Sequence, residues 1–134
     1  MVATPGPGFV PTITNIGIPV PSGSTPIYTG KLVDVYGNPI GPSQLDTLTL
    51  TICDTLTQIV INNVQQVNIL NVDRGTLNDS GILTITLLST DTLLTEAPGQ
   101  PSVQRSLVID WKYNGEVSVG RHQVNFNIVA LAGA

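Results

Sequence analysis

Two runs of alternating residues near the C-terminus constrain the fold of this chain more than any other feature of its sequence. Their apolar members are Leu107, Ile109 and Trp111 in the first run and Val124, Phe126 and Ile128 in the second. A period of two predicts two strands that each bury one face. Asn114-Gly115 lies between the runs, and this dipeptide favours the type I′ turn of a β-hairpin. Because a lone hairpin is not stable in water, its apolar face, which carries the only tryptophan of the chain, predicts a second layer of strands.

Short runs rich in apolar and threonine residues continue this pattern between residues 27 and 101. They predict strands over residues 27–36, 47–52, 58–62, 67–72 and 82–87. A single helical turn capped by Thr90 or Asp91 is expected within residues 90–94. With the hairpin, the sequence predicts an all-β protein, an immunoglobulin-like antiparallel β-sandwich of about seven strands with Leu50, Ile85, Trp111 and Phe126 in its core. It is immunoglobulin-like in architecture only, because the chain has a single cysteine.

The first 26 residues differ from the rest in composition. They contain six of the ten prolines of the chain and four glycines, which predicts an extended N-terminal arm over residues 1–26 ahead of a sandwich over residues 27–134. The arm carries apolar side chains of the kind that a disordered linker lacks. These are Val10, Ile13, Ile16, Ile18 and Val20. We interpret them as partner-binding residues that dock on a neighbouring subunit; the alternatives are that the arm covers its own sandwich or is a loose tail.

Composition limits the partners. A chain of 134 residues accommodates one domain, and a net charge of −4 with only 10% charged residues makes nucleic acid and membrane unexpected partners. The start of the chain lacks the pattern of a signal peptide, and the lone Cys53 fits folding in reducing cytoplasm. So few charges indicate either a surface that other proteins cover or a surface kept polar by threonine and asparagine.

Few residues could support catalysis, and we expect no catalytic, cofactor-binding or metal-binding residues. Cys53 lies on the outward register of its strand, where a thiol is more often inert, so we do not expect a nucleophilic pair with His122. His122 and Asp110 lack a nucleophile elbow and an oxyanion loop for a serine triad. Zinc would need more Cys and His ligands than exist. The Asn and Asp residues of segment 71–80 depart from the spacing of a calcium loop and are explained by turns.

Two motifs give the chain a resemblance to a known group of proteins. The opening Leu32-Val-Asp34-Val-Tyr-Gly37 and the ending Gly120-Arg-His122-Gln-Val-Asn-Phe126 resemble the small immunoglobulin-like accessory proteins of tailed bacteriophages, and the likeness extends over residues 27–129. The plan is also similar to the N-terminal domain of phage baseplate upper proteins. The proline-rich arm lies outside this likeness.

The resemblance implies a non-enzymatic virion structural protein that is made in the host cytoplasm. It would most directly be a capsid decoration or cement protein, which binds the capsid shell through its sandwich and arm. Its partners would be the major capsid protein or other virion proteins, and copies of itself. The alternatives are a tail, neck or baseplate adaptor and, from other classes, a glycan-binding adhesin domain or an enzyme.

Overall fold

Two β-sheets account for most of the molecule. The computed structural model describes residues 12–34, 36–95, 102–113 and 118–130, and for residues 12–15 and 118 it describes the backbone. The strands of these ranges are β1 (Thr12–Asn15), β2 (Val20–Pro21), β3 (Ile27–Lys31), β4 (Leu45–Asp54), β5 (Val67–Asn68), β6 (Gly75–Leu77), β7 (Ile82–Thr86), β8 (Ser102–Tyr113) and β9 (Ser118–Val129). A short helix, α1 (Ser89–Thr92), follows β7, and a 3-10 turn (Pro42–Gln44) precedes β4. The prediction of an all-β protein is confirmed.

The strand order is β1-β9-β8-β4-β5 in the larger sheet, where β2 also pairs with β9, and β3-β7-β6 in the smaller one. One buried apolar cluster joins residues of both sheets, for example Leu50 and Ile109 from the larger and Leu83 and Ile85 from the smaller. Two sheets that share one core have the arrangement of a β-sandwich.

The C-terminal hairpin forms the middle of the larger sheet. β8 and β9 pair antiparallel from Ser102 opposite Val129 to Tyr113 opposite Ser118. Its inward residues follow the predicted alternation, and Trp111 is only 6% exposed. The other predicted core residues, Leu50, Ile85 and Phe126, are buried as well. The turn predicted at Asn114-Gly115 lies outside the described residues.

Segment 55–74 departs from the predicted strands. β4 is longer than predicted, and its end at Asp54 is fixed by a turn in which the Asp54 carboxylate accepts hydrogen bonds from the backbone N–H groups of Leu56 and Thr57. The strand predicted over residues 58–62 reduces to one bridge between Cys53 and Val60, because residues 58 and 62 have positive φ and interrupt the extended backbone. The strand predicted over 67–72 is shortened to β5 for the same reason, since residues 66 and 71 have positive φ.

Two further local predictions need correction. The first predicted strand ends at Lys31 rather than at residue 36. The helical turn exists as α1, but neither Thr90 nor Asp91 is its N-cap residue: Leu88 holds that position, and the Asp91 carboxylate accepts the Leu88 backbone N–H at 2.9 Å from inside the helix. The strand β6 was not predicted.

The predicted arm is largely part of the sheet from Thr12 onward. β1 runs parallel to β9 with Thr12 opposite His122, and β2 continues along the same strand with Val20 opposite Ile128. Pro21 lies within β2 and has no backbone N–H group. An edge strand tolerates such a residue because only one of its sides pairs with another strand. The division of the chain at residue 26 therefore does not separate these strands from the sandwich, and of the predicted arm only residues 1–11 precede the first described strand.

Candidate functional site

A cleft of about 190 Å³ opens between β3 of one sheet and β9 of the other. Its apolar lining includes Leu83, Ile109 and Trp111. Tyr28 and His122 line it as well, and their rings stack across the two sheets with centroids 6.3 Å apart and planes 29° apart. We call this feature the aromatic cleft. Its lining offers flat, mainly apolar surfaces to which the side chains of another polypeptide can bind.

Two glycines within the strands make room for these rings. A Cβ atom on Gly120 would lie 2.5 Å from Nε1 of Trp111 and closer still to two ring carbons. A Cβ atom on Gly30 would lie 2.6 Å from the hydroxyl oxygen of Tyr28. A glycine inside a strand marks a close approach of this kind, so the sequence contained a signal for the cleft that the prediction missed. Burial raises the pKa of Tyr28, which keeps its hydroxyl protonated.

The charges at the cleft are positive. Among the described residues, its lining includes Lys31 and Arg121 and no carboxylate. Arg121 donates to Asp110 from Nε at 2.5 Å and from Nη2 at 3.4 Å, and these hydrogen bonds, followed by the charge of Asp110, raise the pKa of Arg121. Since the pair is solvent-exposed, it contributes little to stability. Because Asp110 offsets the charge of Arg121, Lys31 is the remaining positive charge among the described lining residues, and it favours an uncharged or acidic ligand over a basic one.

The opposite end of the sandwich exposes apolar side chains on two adjacent loops. Leu56 and Ile59, in the loop after β4, are 91% and 63% exposed, and Leu88 and Leu93, on either side of α1, are also exposed. The loops are neighbours, since Asn62 donates to Thr90 Oγ1 at 3.0 Å. We call Leu56, Ile59, Leu88 and Leu93 the apolar loop end. Four large apolar side chains on two touching loops form a surface suited to contact with another protein.

A buried ion pair lies beneath the apolar loop end. Asp91 is fully buried, and its carboxylate accepts hydrogen bonds from Arg74 at 2.5 and 2.8 Å, from Asn62 at 2.8 Å and from the Leu88 backbone. Burial alone would raise the pKa of Asp91, but the hydrogen bonds from Arg74, Asn62 and Leu88 outweigh it and lower this pKa. The loops are therefore held to the body by a charge that is ionised at neutral pH.

Arg105 attaches the segment after α1 to the sheet. Its guanidinium group is fully buried and donates to the backbone carbonyls of Asp91 at 2.7 Å and Leu93 at 2.6 Å. Because both carbonyls belong to the loop that carries Leu93, the loop has a fixed position under its exposed side chain. The part of the apolar loop end that carries Leu93 is therefore anchored to the sheet by buried hydrogen bonds.

The five residues predicted to bind a partner differ in how far they are exposed. Val10 lies outside the described residues, and the backbone of Ile13 pairs with Gln123 in the sheet. Ile16 and Val20 are half-buried and pack against the core of their own chain. Ile18 is 75% exposed. Of the five, Ile18 is therefore the described residue that is available to a partner, whereas Ile16 and Val20 stabilise the sandwich.

The residues considered for catalysis are not assembled into a site. Cys53 is opposite Ser106 on β8 and His122 is opposite Ile109, three positions further along, so their side chains lie on opposite faces of the sheet. Cys53 lies on the predicted face but is buried, and burial followed by the charge of Asp54 raises the pKa of its thiol. The carboxylate of Asp110 is bound by Arg121.

Two of the residues considered for calcium use their side-chain oxygens in hydrogen bonds to nearby backbone. The side chain of Asn71 accepts the backbone N–H of Leu77 at 2.6 Å, and that of Asn78 accepts the N–H groups of Ser80 and Ile82 at 3.0 Å. Within the described residues, no three or more His, Cys, Asp or Glu side chains are grouped closely enough to hold a metal ion.

Comparison with known proteins gives no further assignment: no protein-family model, no curated protein and no solved structure matches the chain. In the part of the chain that the structure describes, no helix has the length and apolar character needed to cross a membrane.

Proposed function

We propose that this protein is a non-enzymatic structural protein of a bacteriophage virion, most directly a capsid decoration or cement protein. The observation that carries the proposal is the apolar loop end, where Leu56 is 91% exposed beside a turn that the Asp54 carboxylate closes, and Leu93 is exposed on a segment that the buried Arg105 binds. A soluble protein rarely exposes such side chains together unless another protein covers them. The partner is the major capsid protein or another virion protein, and copies of this chain adjoin one another on the shell.

The strand order supports the finer description of the fold as immunoglobulin-like. The order β9-β8-β4 in one sheet and β3-β7-β6 in the other matches the two sheets of that architecture, and β5 corresponds to the strand that variable-type domains add. The fold itself carries no function. It supplies a rigid body whose two ends present loops and a cleft to neighbours.

Many copies on one lattice make a weak contact effective. Burial of a few apolar side chains gives modest affinity for a single copy. Neighbouring copies that also touch one another raise the effective concentration of each, so the layer binds more tightly than its members. A surface with few charges suits this arrangement, because adjacent copies then repel each other little.

Binding to purified particles tests the proposal. Replacement of Leu56 and Leu93 by Ser should reduce co-sedimentation with particles by at least about tenfold, which corresponds to about 1.4 kcal/mol, while the melting temperature stays close to that of the wild type because both side chains are exposed. Tyr36→Ser is the matched control, since Tyr36 is an exposed apolar residue elsewhere on the surface. Equal binding of the double variant and the wild type would refute the proposal.

A tail, neck or baseplate adaptor is the second form of the same function. Copy number separates the two: a decoration protein occupies the whole shell, whereas an adaptor is present in the small number set by the rotational symmetry of the tail. Electron microscopy of particles with the protein labelled would show which applies.

A further inference from the structure

We infer that the edge of β3 binds an extended strand of a partner protein, which adds to the smaller sheet as its fourth strand and carries an acidic side chain next to Lys31. The inference deepens the proposed function, on which it rests for the partner being a virion protein. It assigns a role to a row of backbone groups that the other described residues leave unpaired, and such a row is a template for strand addition.

The backbone of β3 directs every second residue away from its own sheet. β3 pairs antiparallel with β7, which is its one partner among the described strands. The backbone N–H of Leu32 donates to the Gly81 carbonyl at 2.8 Å, so the alternation of an antiparallel ladder assigns the even-numbered residues of β3 to β7. The N–H and C=O groups of Ile27, Thr29 and Lys31 therefore point to the open edge, and no hydrogen bond between described residues uses them.

The other edge of the smaller sheet, β6, is closed by its own chain. The N–H group of Gly75 donates to the Val72 carbonyl at 3.1 Å, and the N–H group of Leu77 donates to the side chain of Asn71 at 2.6 Å. These bonds use the groups that β6 directs away from β7. A further strand of the smaller sheet therefore belongs beside β3.

The larger sheet extends past β3. Tyr28 of β3 stacks on His122 of β9, whereas β6 contacts the chain directly after β5. Since β1 and β2 pair with the far side of β9, a strand beside β3 would lie over them. Ile16 and Val20 pack against the core but remain half-buried, and such a strand would cover them further.

The side chains of the β3 edge specify the chemistry of the partner. Ile27 is 65% exposed and Thr29 is exposed beside it, and such residues favour β-branched side chains on the strand opposite. Lys31 is exposed at the end of the edge, next to a cleft whose described lining has no carboxylate, so an acidic side chain opposite it is favourable. A lysine on an edge discourages pairing of two identical edges, which favours an acidic strand of another protein over β3 of a second copy.

Amide hydrogen exchange, measured by nuclear magnetic resonance on the full chain, tests whether the edge is open. In the free protein, the amides of Tyr28 and Gly30 should exchange slowly because they bond to β7, and those of Ile27, Thr29 and Lys31 should exchange fast. The probe strand is the capped peptide Ser-Glu-Val-Thr-Val-Thr-Ser, whose glutamate would lie opposite Lys31 in an antiparallel pairing. When this peptide binds, the three fast amides should become protected.

Variants of Thr29 test the hydrogen bonds of the edge. Thr29→Pro removes an N–H group from the open edge and leaves the bonds to β7 in place, so the variant should fold and bind the peptide at least about tenfold more weakly. Thr29→Val retains the N–H group and is the matched control, which should bind as the wild type does. If Thr29→Pro does not fold, Lys31→Glu replaces it: this variant should bind the peptide more weakly, and a peptide with lysine in place of glutamate should restore binding.

Slow exchange of the amides of Ile27, Thr29 and Lys31 in the free protein would mean that the edge is already paired, and it would overturn the inference. No binding of the peptide at about 1 mM, or binding that Thr29→Pro leaves unchanged, would overturn it as well. These measurements do not use particles. Peptide binding at the edge without co-sedimentation of the protein with particles would therefore leave this inference standing and remove the proposed function, and particle binding by a protein whose edge amides the peptide does not protect would do the opposite.

Discussion

Gly120→Ala should destabilise the protein through one identifiable contact. Gly120 is opposite Trp111 in the hairpin, and a Cβ atom there would lie 2.5 Å from Nε1 of the indole and closer to Cε2 and Cζ2. Ordinary carbon contacts are about 3.5–4.0 Å, so the ring would have to move by about 1 Å within a packed core. Overpacking of this kind costs about 1–3 kcal/mol.

The cost should depend on the indole rather than on the backbone. Gly120 lacks the positive φ that strains other residues, so alanine is acceptable at this position once the ring is absent. In a Trp111→Leu background we expect Gly120→Ala to be neutral or to stabilise by about 0.4–1 kcal/mol, because alanine reduces the entropy of the unfolded chain. The two backgrounds should therefore differ by about 2 kcal/mol.

Urea unfolding followed by far-ultraviolet circular dichroism measures all four members of this cycle, including those without tryptophan. With a dependence of about 2 kcal/mol per molar urea, the wild-type background should show a decrease of about 1 M in the unfolding midpoint. Gly17→Ala is the control, since no atom lies within 4 Å of its Cβ position, and it should change stability by less than about 0.5 kcal/mol. An equal cost of Gly120→Ala in both backgrounds would refute the packing explanation.

The buried ion pair and the buried thiol give two further predictions. Asp91→Asn should lower the free energy of unfolding by about 3 kcal/mol, because it removes the buried carboxylate of Arg74 and leaves its guanidinium only the partly exposed Asp73 as an acidic partner. Asp110→Asn in the more exposed pair with Arg121 should cost less than about 1 kcal/mol. Since the pKa of Asp91 is lowered in the folded state, the contribution of its carboxylate to stability should be complete above about pH 4 and be lost as the pH falls through the folded pKa. Urea unfolding measured at several pH values should therefore show a weaker pH dependence of stability in Asp91→Asn than in the wild type, and an equal dependence in this range would contradict this prediction. Cys53, which is buried with a raised pKa, should react with a thiol reagent only slowly in the native protein and fully in denaturant, and rapid native labelling would contradict its placement.

The parts of the fold that the sequence predicted are those that local alternation determines. Leu107, Ile109 and Trp111 lie on one face because side chains alternate along any strand, and this pattern does not depend on the rest of the chain. The failures occur where a residue has two acceptable conformations. Asn62 and Asn71 adopt positive φ, which asparagine tolerates more readily than most residues, and each interrupts a segment whose apolar pattern alone predicted a strand.

The candidate site was less predictable, because its parts come from distant positions. Tyr28 and His122 belong to different sheets and stack only after both have formed. Asp91 and Arg74 flank the paired strands β7 and β6, so they meet only after these strands have paired. The one local signal was the pair of strand glycines, Gly30 and Gly120, each of which accommodates an aromatic ring.

The surface of the protein carries even fewer charges than its composition indicates, because several charged residues are buried. Of its five basic residues, Arg105 is fully buried and the side chain of Arg74 is nearly so, and the acidic Asp54 and Asp91 are buried as well. The fold therefore uses charges in its interior that a soluble monomer would ordinarily place outside. The surface must rely on uncharged polar side chains, while the apolar loop end remains exposed. This distribution of charged and apolar side chains supports the proposal that other proteins cover part of the surface.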